Sequence, residues 1–206
     1  MKDLSHHNKG KNDTNLASEK VWEQLRGGSE NAFALIYKQF INALYNYGER
    51  FTDDKDLIKD SVQDLFVDLW KSREKLPQVT SVKYYLFKAF KRRVIKKLVR
   101  SRKLPIDKNI LEDYNFEIVF SHESELIARQ VSEQEQKRLL RSLNKLPRRQ
   151  KEAITLKFLD GFSYQEVASI MSMSVKSTYN LIYRALAMLK DYFPELTLFM
   201  LAYGTL

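Results

Sequence analysis

Residues 143–186 read LNKLPRRQKEAITLKFLDGFSYQEVASIMSMSVKSTYNLIYRAL, and this stretch decides the fold of the C-terminal half. Ser163 and Glu166 have the spacing of a capping box, which satisfies free backbone amides at the start of a helix. The short helix that they open ends at a turn at Ser172. Ser174 then caps a longer helix with apolar residues every three or four positions. A short helix, a tight turn and a longer helix with one polar face predict a helix–turn–helix.

The outward face of the longer helix carries side chains suited to the DNA major groove. An Asn side chain can pair with adenine, and Lys or Arg can pair with guanine or phosphate. The candidate DNA-contacting residues are Ser174, Lys176, Ser177, Tyr179, Asn180, Tyr183 and Arg184. Just before the motif, Arg148, Arg149 and Lys151 are suited to the phosphate backbone. The pattern favours DNA binding over the alternative, a helical hairpin with a solvated polar face.

The N-terminal half also shows the helical spacing of apolar residues. Apolar stripes predict a short helix after Ser18, a longer one after Ser29, a third after a turn at residues 52–54 and a fourth over about residues 81–101. The stripe of the second helix includes Tyr37. No segment has a convincing strand pattern, so the predicted fold class is all-α.

The composition along the chain predicts two small helical domains joined by a flexible acidic linker. The ends differ, because the first residues are polar throughout whereas the last are mostly apolar. The predicted divisions are a disordered tail at 1–17, a first domain at 18–102, the linker at 103–122, a helix–turn–helix domain at 123–190 and an apolar tail at 191–206.

The fourth helix of the first domain is strongly basic. From Lys83 to Lys103 there are ten basic residues and no acidic one. Like charges one turn apart repel, and a polyanionic partner would remove that cost. Interleaved aromatic side chains suit unpaired bases. The candidate DNA-contacting residues are Tyr84, Tyr85, Lys88, Lys91, Arg92, Arg93 and Lys96. The alternative is a solvated basic face over a core stripe.

The third helix has the opposite charge bias. Asp60, Asp64 and Asp68 follow one another at four-residue steps beside the apolar stripe. Such a stripe is either ordinary surface, neutralised by the basic helix nearby, or a docking face for a basic protein partner. A metal-dependent nuclease site would need carboxylates from a second element, which the sequence does not supply.

Composition excludes several classes of function. The chain has 206 residues, a formal net charge of +9 and a pI near 9.5, which indicates a polyanionic partner such as nucleic acid. It has no cysteine and three histidines, His6, His7 and His122. We find no catalytic constellation, no metal site and no cofactor motif, so we expect a protein that is not an enzyme. With no secretory signal and no membrane span in the sequence, we expect a cytoplasmic protein.

These residues resemble the extracytoplasmic-function (ECF) sigma factors of bacterial RNA polymerase, a branch of the sigma-70 family. Residues 31–70, which include NAFALIYKQF and IKDSVQDLFVDLW, resemble the family's core-binding pattern. The segment YYLFKAFKRRVIKKLVR at 84–100 resembles its promoter-melting helix, with Arg92 in place of the usual Asn and Tyr85 in place of the usual Trp. Residues 143–186 resemble its second DNA-binding domain, with Ser172 in place of the common turn Gly.

The resemblance implies a role for each face. The residues at the core-polymerase-binding places are Asp60, Gln63, Asp64, Phe66 and Trp70. The basic helix would contact the −10 element and assist melting, and the loop at 76–81 would capture a flipped-out base. The helix–turn–helix would read the −35 element. The implied partners are core RNA polymerase, promoter DNA and an anti-sigma factor, which in this family is often membrane-anchored.

The main competing interpretation is a helix–turn–helix regulator that acts without binding core polymerase. Its N-terminal domain would sense a ligand or dimerise. Such a regulator has no need for both the Asp60, Gln63 and Asp64 face and the basic aromatic helix, and their joint presence favours the initiation factor.

Overall fold

The computed structural model describes residues 19–101, 114–118 and 133–190, with side chains from residue 137 onward in the last range. The predicted tails at 1–17 and 191–206, most of the predicted linker and the three histidines lie outside the described residues. Within them the chain is helical without any strand, and it divides into two compact units. The all-α prediction is therefore confirmed. Within the described ranges, no helix is both long and apolar enough to span a bilayer.

The first unit is a small helical bundle. Its helices are α1 (residues 19–26), α2 (Glu30–Gly48), α3 (Lys55–Lys71) and α4 (Val82–Ser101), with a 3₁₀ turn at Arg73–Lys75. Each helix buries most of the apolar stripe that its sequence spacing predicts. The largest fully buried side chains in this core are Trp22, Tyr47, Phe87, Phe90, Leu25, Leu44, Ile58 and Leu86.

Local signals in the sequence set the starts of these helices. The Ser29 hydroxyl accepts from the Ala32 amide at 3.3 Å, and Asp54 accepts from the Leu57 amide at 2.9 Å. Gly48 ends α2 where α3 comes very close: a Cβ at this position would lie 2.6 Å from Ile58 Cγ2. A side chain there would force these two helices apart.

The second unit contains the helix–turn–helix. Its helices are α5 (Glu133–Asn144), α6 (Arg148–Ile154), which continues as a π-helical turn at Thr155–Leu159, α7 (Tyr164–Ile170) and α8 (Val175–Lys190). The predicted capping box is present: the Glu166 amide donates to Ser163 Oγ at 3.2 Å, and the Ser163 amide donates to Glu166 Oε2 at 2.8 Å.

The turn between α7 and α8 is left-handed at Ser172, with a φ of 54°. Glycine adopts this left-handed region at the least cost. Ser172 therefore forms the same turn for which the family named above usually has Gly. Thr178 is buried on the inner face of α8, and its hydroxyl donates to the Ser174 carbonyl at 3.0 Å. That bond satisfies the one polar group of an otherwise apolar position.

The predicted linker requires a correction at residues 114–118. This segment is neither helix nor strand and belongs to the second unit, where Tyr114, Phe116 and Ile118 are buried. The Ile118 amide donates to Asn144 Oδ1 at 3.0 Å, and Asn144 Nδ2 donates back to the Ile118 carbonyl at 3.2 Å. The described part of the linker is thus anchored chain, and its alternating Tyr-x-Phe-x-Ile pattern is the signal for that burial.

Residues 49–53 also belong to the second unit. Phe51 is buried, with its ring centroid 5.4 Å from that of Tyr114 and 5.3 Å from that of Phe116. Arg50 forms two hydrogen bonds with the carboxylate of Asp160, at 2.6 and 3.2 Å. This short segment therefore completes the packing around residues 114–118.

Candidate protein and nucleic-acid interfaces

The acidic stripe of α3 is exposed but partly neutralised. Asp64 Oδ2 lies 2.7 Å from Lys97 Nζ, and Asp68 Oδ2 lies 2.7 Å from Arg93 Nη2, both on α4. The hydrogen bond from Lys97 lowers the pKa of Asp64 below its ordinary value. Among the described residues, Asp60 forms no ion pair. Asp60 is therefore the carboxylate of the stripe that is most open to a partner.

These ion pairs also correct the argument for α4. The sequence shows no acidic residue on this helix, and the prediction of a polyanionic partner rested on that absence. In the structure two of its cations, Arg93 and Lys97, are compensated by acidic residues of α3. The charge balance of α4 thus comes partly from a neighbouring helix that is distant in sequence.

An open aromatic groove lies beside the acidic stripe, between α2 and α3. The Tyr37 and Phe66 ring centroids are 4.8 Å apart, and those of Phe33 and Trp70 are 5.3 Å apart. The groove is lined by Glu30, Phe33, Tyr37, Gln63, Phe66, Val67, Trp70 and Lys71. Apolar side chains that remain open to solvent in one patch are typical of an interaction surface.

One prediction about this region was wrong. Tyr37 was placed on the buried stripe of α2 but is 40% exposed, because it borders the groove. Phe66 is only 2% exposed and forms the floor of the groove, and its contact with a protein partner stays a prediction. The groove itself was missed, although the shared spacing of aromatic residues on α2 and α3 is the signal that could have indicated it.

On α4 the predicted DNA-contacting residues separate into inner and outer positions. Arg92 and Lys96 are exposed, while Tyr84, Tyr85 and Lys88 are half-buried. Burial raises the pKa of Tyr85. Lys88 Nζ donates to the Tyr84 hydroxyl at 3.0 Å, which orients both side chains. The outer face of α4 is accordingly a basic surface with tyrosines near its start.

Lys91 and Arg93 require correction. Lys91 is only 7% exposed, because it lies in one row with buried Phe87 and Ile95, one turn away on either side. Arg93 is occupied by Asp68. Neither residue presents a free cation on the outer face.

The outward face of α8 is exposed as predicted for a recognition helix. Ser174, Lys176, Ser177, Asn180 and Arg184 are exposed, and so are Tyr179 at 43% and Tyr183 at 73%. The Ser177 amide donates to Ser174 Oγ at 3.1 Å, which caps the helix. The candidate −35 residues of α8 are thus brought together on one accessible surface.

Sequence reasoning missed Tyr164, at the start of α7. Its ring stacks on Tyr179 with a centroid distance of 3.9 Å and an interplanar angle of 17°. Burial raises the pKa of Tyr164, and the neighbouring Tyr179 makes a smaller contribution in the same direction. Lys157 Nζ lies 4.6 Å from the centre of the Tyr164 ring. These contacts orient Tyr179 on the exposed face of α8, and no spacing pattern indicated them.

The basic residues before the helix–turn–helix are partly used within the unit. Arg148 Nη1 donates to the Tyr114 carbonyl at 2.9 Å, and its guanidinium lies 4.3 Å from the centre of the Tyr114 ring. Arg149 Nη2 donates to the Met171 carbonyl at 3.4 Å, and Lys151 is half-buried. Arg148 therefore anchors the segment at 114–118. The sequence predicted only a phosphate contact for this residue.

Comparison with known proteins finds two family matches. The family described as "Sigma-70 region 2" matches residues 36–104, and "Sigma-70, region 4" matches residues 136–189. The chain is 24% identical over 184 residues to the ECF RNA polymerase sigma-E factor of Haemophilus influenzae, covering 85% of this chain and 95% of that protein. It is 25% identical over 177 residues to the protein of that name in Escherichia coli K12, covering 82% and 91%.

Solved structures share the fold. The structure of CnrH in complex with the cytosolic domain of CnrY matches with a TM-score of 0.54 at 22% identity, covering 86% of this chain and 97% of that one. The sigma factor RpoE of Bartonella quintana, solved with the anti-sigma factor NepR, matches with a TM-score of 0.53 at 20% identity, covering 79% and 97%.

Proposed function

The chain belongs to the extracytoplasmic-function branch of the sigma-70 family, and from this premise we propose how its surfaces divide the work of initiation. It is a non-enzymatic transcription initiation factor that directs RNA polymerase to promoters. The observation that carries the proposal is the presence, in one chain, of an exposed acidic face beside an aromatic groove and of a helix–turn–helix with an open polar face.

The first proposed surface binds core polymerase. It consists of Asp60, Gln63, Asp64 and Trp70, together with the aromatic groove whose floor is Phe66. A carboxylate stripe beside an open apolar groove suits a basic, amphipathic helical partner, because charge sets the approach and the groove provides the apolar contact. Phe66 shapes this surface from the floor of the groove.

The second proposed surface binds the −10 region and assists melting. It comprises the outer residues of α4, namely Tyr84, Tyr85, Lys88, Arg92 and Lys96. Exposed cations follow a phosphate backbone, and tyrosine rings near the start of the helix can stack on unpaired bases. The loop at 76–81 is proposed to receive a flipped-out base.

The third proposed surface reads the −35 element with α8. Asn180, Lys176 and Arg184 provide hydrogen-bond donors for base edges and phosphates, and Tyr179 and Tyr183 provide aromatic contact. The stack of Tyr179 on Tyr164 holds one of these rings in place before DNA arrives. Arg149 and Lys151 are proposed to support backbone contacts.

We further propose that an anti-sigma factor controls this protein in the cytoplasm. The related CnrH and the Bartonella quintana sigma factor were both solved in complexes, and the latter partner is an anti-sigma factor. The open groove of the first unit offers apolar surface to such a partner. A membrane-anchored inhibitor would place the release of the sigma factor under the control of an envelope signal.

Binding to promoter fragments with and without core polymerase tests the proposal. A pool of genomic upstream fragments is incubated with the protein alone, with core polymerase alone and with both, and the retained fragments are sequenced. We expect a shared sequence pattern only when both are present, because each DNA-binding surface is small. The same fragments retained equally well by the protein alone would instead indicate an independent regulator.

A further inference from the structure

The loop between the 3₁₀ turn and α4 is held at its start by two side chains of α1. Trp22 Nε1 donates to the Pro77 carbonyl at 2.9 Å, and Arg26 Nε donates to the Leu76 carbonyl at 2.8 Å. These bonds span 55 and 50 residues of sequence, and they bind two consecutive carbonyl groups. Side-chain donors from one element that bind successive carbonyls of another fix both the position and the direction of that backbone.

Burial and packing reinforce the two tethers. Trp22 is fully buried, and its ring meets that of Tyr85 at a centroid distance of 5.0 Å and an angle of 62°. Arg26 also forms an ion pair with exposed Glu23 at 2.7 Å, which adds little to the tether because the pair is open to water. Leu76 is itself only 5% exposed. The start of the loop is therefore pinned by packing as well as by hydrogen bonds.

The far end of the loop is fixed by α4. The Ser81 hydroxyl accepts from the Tyr84 amide at 3.2 Å, and the Ser81 carbonyl accepts from the Tyr85 amide at 3.1 Å. Between these anchors, Gln78 and Thr80 are exposed. The result is a short, open tip with hydrogen-bonding side chains between two fixed ends.

We propose that α1 is a positioning element for promoter recognition, with Trp22 and Arg26 as the positioning residues. They hold the tip at residues 78–80 in the geometry that receives an unpaired base of the −10 region. This inference rests on the proposed function of the loop and adds a role for α1, which precedes the residues matched by the region 2 family. Neither residue needs to touch DNA.

The physical basis is preorganisation. A loop whose ends are fixed before binding loses less conformational entropy when it receives a base than a loop that must be ordered at that moment. The tethers should therefore affect discrimination at the −10 positions, which depends on the tip. They should leave the polymerase-contact residues on α3 and the −35 surface on α8 unaffected.

Two variants and one matched control test the inference. Arg26→Ala removes the bond to the Leu76 carbonyl from a partly exposed position, and Trp22→Phe removes the indole donor while retaining a buried ring. Glu23→Gln is the control, because it removes the ion pair of Arg26 and leaves the Arg26 bond to Leu76 in place. Each protein is reconstituted with purified core polymerase and transcribes a promoter library randomised at the −35 and −10 positions, and the transcribed templates are sequenced.

For each tether variant we expect the base preference at the −10 positions to fall by about two- to tenfold, which corresponds to one net hydrogen bond. The −35 preference and the affinity for core polymerase should match those of the wild type and of Glu23→Gln. Unchanged −10 preference in both tether variants would overturn the inference, and so would an equal loss at −35 and −10. A wild-type protein that selects no promoter at all would refute the proposed function itself.

Discussion

Replacing Asp60 with Lys should separate polymerase binding from folding. Asp60 is exposed on α3, with Asp56 and Asp64 one turn away on either side. Like charges four residues apart on a helix repel, so a lysine between two aspartates converts two repulsive pairs into attractive ones. Each change contributes a few tenths of a kcal/mol. The free energy of unfolding of the variant should therefore equal that of the wild type or exceed it by about 0.5–1 kcal/mol.

The same substitution should weaken binding to core polymerase, and by more than it changes the stability of the fold. Reversing a charge that faces a basic partner replaces an attraction with a repulsion, which costs about 2.7 kcal/mol, or about a hundredfold in Kd. The assay is a titration of fluorescently labelled protein with purified core polymerase, accompanied by urea unfolding of the free protein. Glu74→Lys is the matched control, because its side chain is 80% exposed and the charge change is identical.

Two results would refute this reasoning. Unchanged polymerase affinity in Asp60→Lys would show that the acidic face of α3 is not the contact surface. An equal loss in Glu74→Lys would show that net charge, rather than local contact, governs binding. Asp64 is a poorer first choice, since its replacement also breaks the ion pair with Lys97 and leaves two cations close together on α3 and α4.

Three further predictions concern the buried pair of Tyr114 and Glu152 and the two proposed DNA-binding surfaces. Tyr114→Phe removes the hydrogen-bond donor to buried Glu152 and should lower the free energy of unfolding by about 1–3 kcal/mol, measured in urea. Burial, and to a lesser extent the nearby Glu152, raises the pKa of Tyr114. The contribution of Tyr114 to the free energy of unfolding is therefore fully present below the ordinary tyrosine pKa of about 10. It should be lost as the pH rises above that value, so a wild-type advantage that persists undiminished there would contradict the assignment. Asn180→Ala should change the preferred base at one upstream position by about 1–3 kcal/mol in competition binding by holoenzyme, whereas an equal loss for every base would mean that Asn180 does not read sequence. Arg92→Ala should slow open-complex formation more than initial binding, and undiminished permanganate reactivity of promoter thymines would count against that role.

The helices and the helix–turn–helix were predictable because their signals are local. The Ser163 and Glu166 capping box, the cap at Ser29 and the apolar stripes all act within one or two turns of chain. Such patterns identify which residues face inward, and most of the predicted α8 surface follows from that alone. The family resemblance then linked these surfaces to polymerase and promoter.

The errors arose at positions whose burial depends on a small rotation of the helix, or whose contacts come from residues distant in sequence. Lys91 lies at the edge of the apolar stripe of α4, and periodicity does not determine whether an edge position is buried. The ion pairs of Asp64 and Asp68 depend on how α3 packs against α4. The tether from Trp22 to Pro77 depends on tertiary structure, and no local pattern encodes it.

The burial of residues 114–118 was missed for a different reason. The Tyr-x-Phe-x-Ile alternation is only five residues long, and it lies within an acidic, proline-containing stretch that is typical of a linker. Its partners Asn144 and Arg148 are about thirty residues away in sequence. Short alternating segments inside predicted linkers therefore deserve examination as docking segments.

Run-off transcription with purified core polymerase on fragments of genomic DNA, with and without this protein, tests most directly whether the protein is an initiation factor. We expect discrete transcripts that appear only when the protein is added, start downstream of a shared pair of upstream elements, and are lost with Asp60→Lys. If a saturating amount of this protein yields no promoter-specific transcripts, while the same core polymerase transcribes normally with another sigma factor, the protein is not an initiation factor.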